Sequence, residues 1–242
     1  MEGRLASARI CLVDSCIELL ELGRELWRGA EAVTYLATFM GMPAVAKIRV
    51  RKPFLPEPFD EFLRRKRTRT EARIMEHARA LGVKVPRVLF VDVDSGLIVM
   101  ERIEGEVLRD AEPKLLDEEL CRAMAALGEY AAKLHDSGIV HGDLTTGNAI
   151  VSSEGLYLID FGLAEYVSVI DEHAIDVHIA FRSIESSHGE RAELMKRCFV
   201  EGYERVRGEE VTRLVLAKVE EIRSMGRYVS ERKRVRTVWE IA

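Results

Sequence analysis

The chain has 242 residues, 48% of them hydrophobic, enough to bury a substantial core as one large domain or two small lobes. No apolar run is long enough to span a bilayer, and the N-terminus lacks the blocks of a signal peptide, so the cytoplasm is the expected compartment. The net charge of −5 hides two concentrations of cations, one at Arg64, Arg65, Lys66, Arg67 and Arg69, the other from Arg227 through Arg236.

Four cysteines (Cys11, Cys16, Cys121 and Cys198) are scattered without zinc-type doublets. Cys11 and Cys16 are close enough in sequence to pair, but the expectation for an intracellular chain is reduced, partly buried thiols. Residues 1–25 read as an N-terminal extension, in which Glu18 through Glu25 forms either a short extra helix or partly disordered chain. From Leu26 to Val33 the pattern is strand, turn, strand, with Gly29-Ala30-Glu31-Ala32 at the turn. Ala44 to Val50 alternates as a third strand and ends before a breaker cluster between Pro53 and Pro58.

Lys47 lies mid-strand among small apolar residues, close to the V-A-I-K pattern whose lysine grips ATP phosphates. An isolated strand lysine would snorkel to solvent. Glu71, however, shares a helical face with Ile74, Met75 and Ala78, where an unpaired carboxylate is expensive to bury. Lys47 is the expected partner, giving the Lys–Glu pair that kinases require. Two further strands follow, Val88–Val91 and Leu97–Glu101, and Arg102-Ile103-Glu104-Gly105 reads as a hinge. Backbone groups at Glu101 and Ile103 are expected to meet an adenine edge. The apolar stripe Leu120, Met124, Leu127, Ala131, Leu134 marks a core helix that leads into the next loop. His135 and His173 carry no metal-ligand pattern and read as structural or solvent-exposed.

That loop, His141-Gly142-Asp143-Leu144-Thr145-Thr146-Gly147-Asn148, precedes a short hairpin and then Ile159-Asp160-Phe161-Gly162. The order and spacing are those of a kinase catalytic loop and metal-binding loop. Asp143 is the candidate base, and Asn148 and Asp160 are the candidate magnesium ligands. Several kinase features are missing. There is no G-x-G-x-x-G, position 142 is Gly rather than Arg, Thr145 replaces a catalytic-loop lysine, and no A-P-E follows Gly162. Asp176 arrives early, placed to cap the loop from the next helix. The remaining eighty or so residues suffice for three or four helices. The expected fold is therefore α+β: a reduced bilobal kinase-like fold, with a small β-rich N-lobe over 26–103 and a short helical C-lobe over 104–242.

The Gly29–Ala32 run, Arg67 through Arg73, the His141–Asn148 loop, Asp160–Leu163 and Asp171 through His188 together resemble the small atypical serine/threonine kinase subunit of the KEOPS complex. The resemblance runs from Leu26 to the basic C-terminus. It implies that Leu26, Gly29, Ala30, Glu31, Val33, Lys47, Glu71, Glu101 and Ile103 bind ATP. Asp143 would accept the proton, while Asn148 and Asp160 hold magnesium. It further implies partnership with the threonylcarbamoyl-transferase subunit and other KEOPS subunits. The biology implied is tRNA threonylcarbamoyladenosine modification, with ATPase activity and serine/threonine autophosphorylation. Lys52-Pro53-Phe54-Leu55-Pro56 departs from the family's Lys-x-Tyr-Arg run, which weakens the expectation of a phosphate or partner contact there.

The basic end carries Arg227, Arg232, Lys233, Arg234 and Arg236, dense enough to attract phosphate backbones. With the resemblance in view, contact with tRNA or the transferase subunit is preferred to a solvated tail. Three rival readings are open: a Rio-type kinase, a small-molecule phosphotransferase of aminoglycoside or choline type, and a non-catalytic RNA-binding scaffold that retains a nucleotide pocket.

Overall fold

Two-residue alternation in the N-terminal third and three-to-four-residue alternation beyond it produce an α+β chain that divides into compact units of residues 1–104 and 105–242. The structure is a computed structural model, describing the backbone of residues 9–12 and 15–239 and the side chains of residues 19–225. The side chains of Arg227, Arg232, Lys233, Arg234 and Arg236, and residues 1–8 of the expected extension, lie outside the described residues.

In the first unit, β1 (Arg9–Leu12) and β2 (Ser15–Glu18) form an antiparallel pair. The strands β3 (Leu20–Arg28), β4 (Ala32–Phe39), β5 (Met42–Arg49), β6 (Val88–Asp92) and β7 (Leu97–Glu101) build a second sheet in the order β3-β4-β5-β7-β6. The helix or disorder expected at Glu18–Glu25 is not what forms. Residues 20–25 belong to β3, because Leu20 and Leu22 pack on the sheet core of Ala37, Ala44, Ala46 and Val99. A mostly polar strand with exposed Glu21, Arg24 and Glu25 hides this pattern from a reading of the sequence.

Strand β5 is central, so both of its faces are covered. Ala44 and Ala46 turn to the sheet core, which places Lys47 and Arg49 together on the opposite face. Helix α1 (Glu57–Ala80) starts at the proline cluster, with Glu57 and Asp60 in its first turn where the helix dipole favours acids. Asp60 also accepts the Lys52 backbone N–H and the Arg64 guanidinium.

The second unit opens with β8 (Glu106–Val107) and α2 (Leu108–Ala111), followed by the long α3 (Asp117–Asp136) and β9 (Ile139–Val140). The hairpin of β10 (Ala149–Ser152) and β11 (Gly155–Leu158) pairs with β8, and β12 (Glu165–Tyr166) pairs with β9. Helix α4 (Ile170–Ser187) leads to α5 (Ala192–Trp239), which Gly208, at φ 75°, breaks into two helical segments.

Helices α3 and α5 meet along a glycine seam. A Cβ on Gly128 would lie 2.0 Å from the Phe199 carbonyl oxygen, and one on Gly202 would lie 1.9 Å from that of Ala125. The close approach also corrects the expectation of free thiols, since Cys121 and Cys198 form a disulfide across the seam with Cα atoms 5.2 Å apart. Because the obstruction at each glycine is backbone, the helices themselves would have to move to admit a methyl. Gly202→Ala is therefore expected to cost roughly 1–3 kcal/mol of stability, read as a lowered urea midpoint. An unchanged midpoint would show that the seam is looser than described.

Candidate active site

In the first unit a single carboxylate organises the candidate phosphate grip. Glu71 is 1% exposed on α1, and its Oε1 accepts a 2.6 Å hydrogen bond from Lys47 Nζ. Its Oε2 accepts an equally short bond from Arg49 Nη2. Two cations on one buried acid leave local positive charge, as a site for phosphates requires. Arg49 was not foreseen from sequence. The signal was its i+2 spacing from Lys47, which puts both side chains on one strand face.

Glu31, at the Gly29–Ala32 turn, is committed to cations. Its carboxylate binds Lys52 and Arg67 and lies 3.7 Å from Arg49 Nη1. Burial pushes this carboxyl up, but hydrogen bonds from Lys52 and Arg67 outweigh it and hold it below the usual range. Lys52, in the segment that departs from the family pattern, thus pins the turn to α1 together with Arg67. Among the other residues expected to bind ATP, Val33 is buried, Ile103 is half-buried, and Leu26 and Ala30 are exposed. Gly29 lies beneath the Trp27 ring, where a Cβ would come within 1.9 Å. The Glu101 carboxylate receives Arg87.

In the second unit Asp143 and Asn148 are joined directly. Asn148 Nδ2 donates to Asp143 Oδ2 at 2.8 Å and to the Asp143 carbonyl at 2.9 Å. That commits the amide hydrogens and leaves the side-chain Oδ1 of Asn148, to which no described residue donates, as a hard ligand suited to magnesium. Asp160 is brought beside it through the backbone, since Ile159 N donates to the Asn148 carbonyl. Asp160 has φ 59°, unusual for a residue with a side chain. Its Oδ1 accepts the Gly162 N–H, which holds the carboxylate in that conformation. An amide oxygen and a carboxylate are the oxygen donors that magnesium takes, so the residues present fit the ion.

The loop carrying Asp143 is anchored from below. Asp176 on α4 is 1% exposed, and it accepts the backbone N–H of His141 at 2.7 Å and of Gly142 at 2.9 Å. His135 Nε2 reaches the same carboxylate at 3.2 Å, and His135 Nδ1 contacts the Tyr203 hydroxyl at 2.8 Å. A carboxylate only accepts, so His135 Nε2 carries a proton and donates it to Asp176. Burial pushes the Asp176 carboxyl up, but the hydrogen bond and charge of His135, with the loop N–H groups, bring it below the usual range. Gly142 takes φ 79°, and a Cβ there would lie 2.4 Å from the Leu163 carbonyl oxygen. That excludes the arginine many kinases carry at this position.

His173 stacks on His135 with ring centroids 4.5 Å apart and planes 4° from parallel. Burial, with the nearby charges of His135 and Arg207, lowers its pKa to about 4. Both groups predict acid lability. Between pH 6.5 and about 4 the unfolded chain binds a proton at His173 that the folded chain refuses, so stability falls as pH drops through that window. The Asp176 contribution, present above the ordinary carboxylate pKa, is lost at still lower pH. The loss from His173 between pH 7 and 4 is expected at roughly 3 kcal/mol, read from urea midpoints. His173→Phe should abolish that part and spare the lower limb; parallel pH profiles would exclude His173 as the source.

Comparison with known proteins shows the family. A RIO domain family model matches residues 61–178. The chain is 41% identical over 207 residues to the KEOPS complex subunit Bud32 of Pyrococcus abyssi, covering 83% of this chain and 94% of that protein. It is 40% identical over 185 residues to a probable serine/threonine-protein kinase BUD32 homolog of Archaeoglobus fulgidus, covering 76% and 88%. It is also 41% identical over 209 residues to a probable bifunctional tRNA threonylcarbamoyladenosine biosynthesis protein of Methanosarcina mazei. There the match covers 85% of this chain but 36% of the relative. With its β-sheet unit, its helical unit and this similarity over most of its length, the chain belongs to the Bud32 family of RIO-kinase-like proteins.

Proposed function

We propose that the chain is a magnesium-dependent ATPase and atypical serine/threonine kinase that supports tRNA threonylcarbamoyladenosine formation as a KEOPS subunit. The observation that carries this reading is the Asp143–Asn148 bond, with Asp160 held beside it by the Ile159 N–H. It fixes a base and two metal ligands in one loop system, which a scaffold without catalysis does not need. Lys47, oriented by Glu71, contacts the ATP phosphates, and backbone groups at Glu101 and Ile103 receive the adenine.

Asn148 and Asp160 would hold magnesium, which would supply positive charge to offset that developing on the transferred phosphoryl group. Asp143 uses the oxygen not occupied by Asn148 to accept the proton of the attacking water or hydroxyl. The oxygen of that water or hydroxyl, not the carboxylate, then bonds to the γ-phosphorus as the bond to ADP breaks. An open groove lined by Arg109, Thr145, Gly147, His178, Arg182 and Ser183 flanks the loop and gives an acceptor room to approach. Without a catalytic-loop lysine, and with little chain for a peptide-docking platform, the site favours hydrolysis, or transfer to a tethered hydroxyl, over turnover of many peptides. The partners in this reading are the transferase subunit, the other KEOPS subunits and tRNA, in the cytoplasm. No helix among the described residues is long and apolar enough to cross a membrane.

Two outcomes test this reading. Asp143→Asn should lower magnesium-dependent ATP turnover by about 10²–10⁴-fold while retaining ATP binding by calorimetry, and Asp160→Ala should remove the magnesium dependence. Hydrolysis by either variant at the parent rate would refute the assignment. Truncation before Arg232 should leave ATP binding intact but weaken tRNA binding and flatten its salt dependence. Unchanged tRNA affinity would locate the RNA contact elsewhere.

A further inference from the structure

Between Asp143 and Asn148 the loop is braced a second time, by side chains with no assigned role. Thr146 is 1% exposed, and both its amide and its hydroxyl are engaged. Its N–H donates to Ser183 Oγ at 3.3 Å, and its Oγ1 lies 2.9 Å from His188 Nε2 and 3.3 Å from Ser183 Oγ. His188, 6% exposed just beyond α4, places Nδ1 3.2 Å from Glu112 Oε2. Glu112 is held in turn by Arg191, whose Nη1 reaches its Oε1 at 3.0 Å and its carbonyl at 2.8 Å. Arg191 Nη2 is anchored on the Leu115 carbonyl and on Asp117.

Proton bookkeeping gives this chain one direction. The Glu112 carboxylate accepts from Arg191 and from His188, so Nδ1 carries the imidazole proton. In the neutral ring Nε2 is then an acceptor, and the Thr146 hydroxyl donates to it. The remaining lone pair of Thr146 Oγ1 receives the Ser183 hydroxyl. Carboxylate, imidazole and hydroxyl stand in the order of a nucleophilic triad. The hydroxyl here is buried, so the arrangement orients a backbone rather than attacking a substrate. Its target is specific: Thr145 N donates to the Asp143 carbonyl and Asn148 N donates to the Thr145 carbonyl, so the turn that spaces base from ligand passes through Thr146. A fully satisfied buried network of this kind permits one geometry and penalises others.

We propose that His188 is a positioning residue for the catalytic loop. Held in one tautomer by Glu112, it clamps the Thr146 hydroxyl and thereby sets the placement of Asp143 relative to Asn148. The effect on turnover rests on the ATPase reading above; the effect on loop geometry does not.

The test uses the full-length protein. Thr146→Val and His188→Ala should each lower kcat for ATP by roughly ten- to a hundredfold, with KM for ATP changed less than about twofold. Thr146→Ser should restore most of the rate, and the double variant should be no slower than the worse single one. Unchanged kcat in both variants, or losses that multiply in the double variant, would overturn the proposal. Two readouts do not depend on activity. Nitrogen NMR of the parent should show His188 protonated at Nδ1, and amide exchange at Thr145 through Asn148 should accelerate in Thr146→Val. If the parent hydrolyses no ATP, the functional reading fails, and the exchange data alone decide the proposal. Exchange at the parent rate, or a ring protonated at Nε2, sinks it.

Discussion

A carboxylate stripped of water must find several donors or give up its charge, and Asp176 meets that demand with the His141–Asn148 loop itself. Two of its partners are the main-chain N–H groups of His141 and Gly142, so the acid fixes backbone immediately before Asp143. Its third partner, His135, carries the constraint into α3 and onward to Tyr203 on α5. Four segments of the second unit are thereby tied to one group. The loop is gripped again at Thr146, so the span holding Asp143 is secured on both sides by buried polar chemistry. Packing supplies the rest, through the glycine seam and disulfide that join α3 to α5.

The first unit follows the same principle with the opposite charge balance. Glu71 holds Lys47 and Arg49 together, and Glu31 gathers Lys52 and Arg67 at the turn. A glycine-rich phosphate loop depends on backbone freedom; here a carboxylate fixes the turn instead. The Gly-Ala-Glu-Ala sequence is thus a different solution to holding that turn, rather than a degraded version of the usual one. Lys52, in the segment that departs from the family's Lys-x-Tyr-Arg run, belongs to that solution.

How much was legible in the sequence depended on whether the signal was local. The Lys47–Glu71 pairing could be read because a strand register and a helical face each announce where a side chain points. The hairpin between Asn148 and Asp160 was legible for the same reason. Residues 20–25 were misread because only two apolar side chains mark them, and their strand character comes from pairing with β4. Free thiols at Cys121 and Cys198 were expected because spacing in sequence says nothing about two helices meeting across 77 residues.

The amino-acid order alone determined the α+β class, the kinase-like succession of Asp143, Asn148 and Asp160, and the family to which the chain belongs. These are carried by side-chain identity and short-range periodicity, which need no knowledge of distant neighbours. Only the tertiary structure decided that Arg49 shares Glu71, that Glu31 serves the turn, that Gly142 admits no side chain, and that His188 reaches Thr146. Each depends on the approach of groups remote in sequence, or on a backbone angle set by such an approach. Burial then turns these contacts into constraints by making their loss costly.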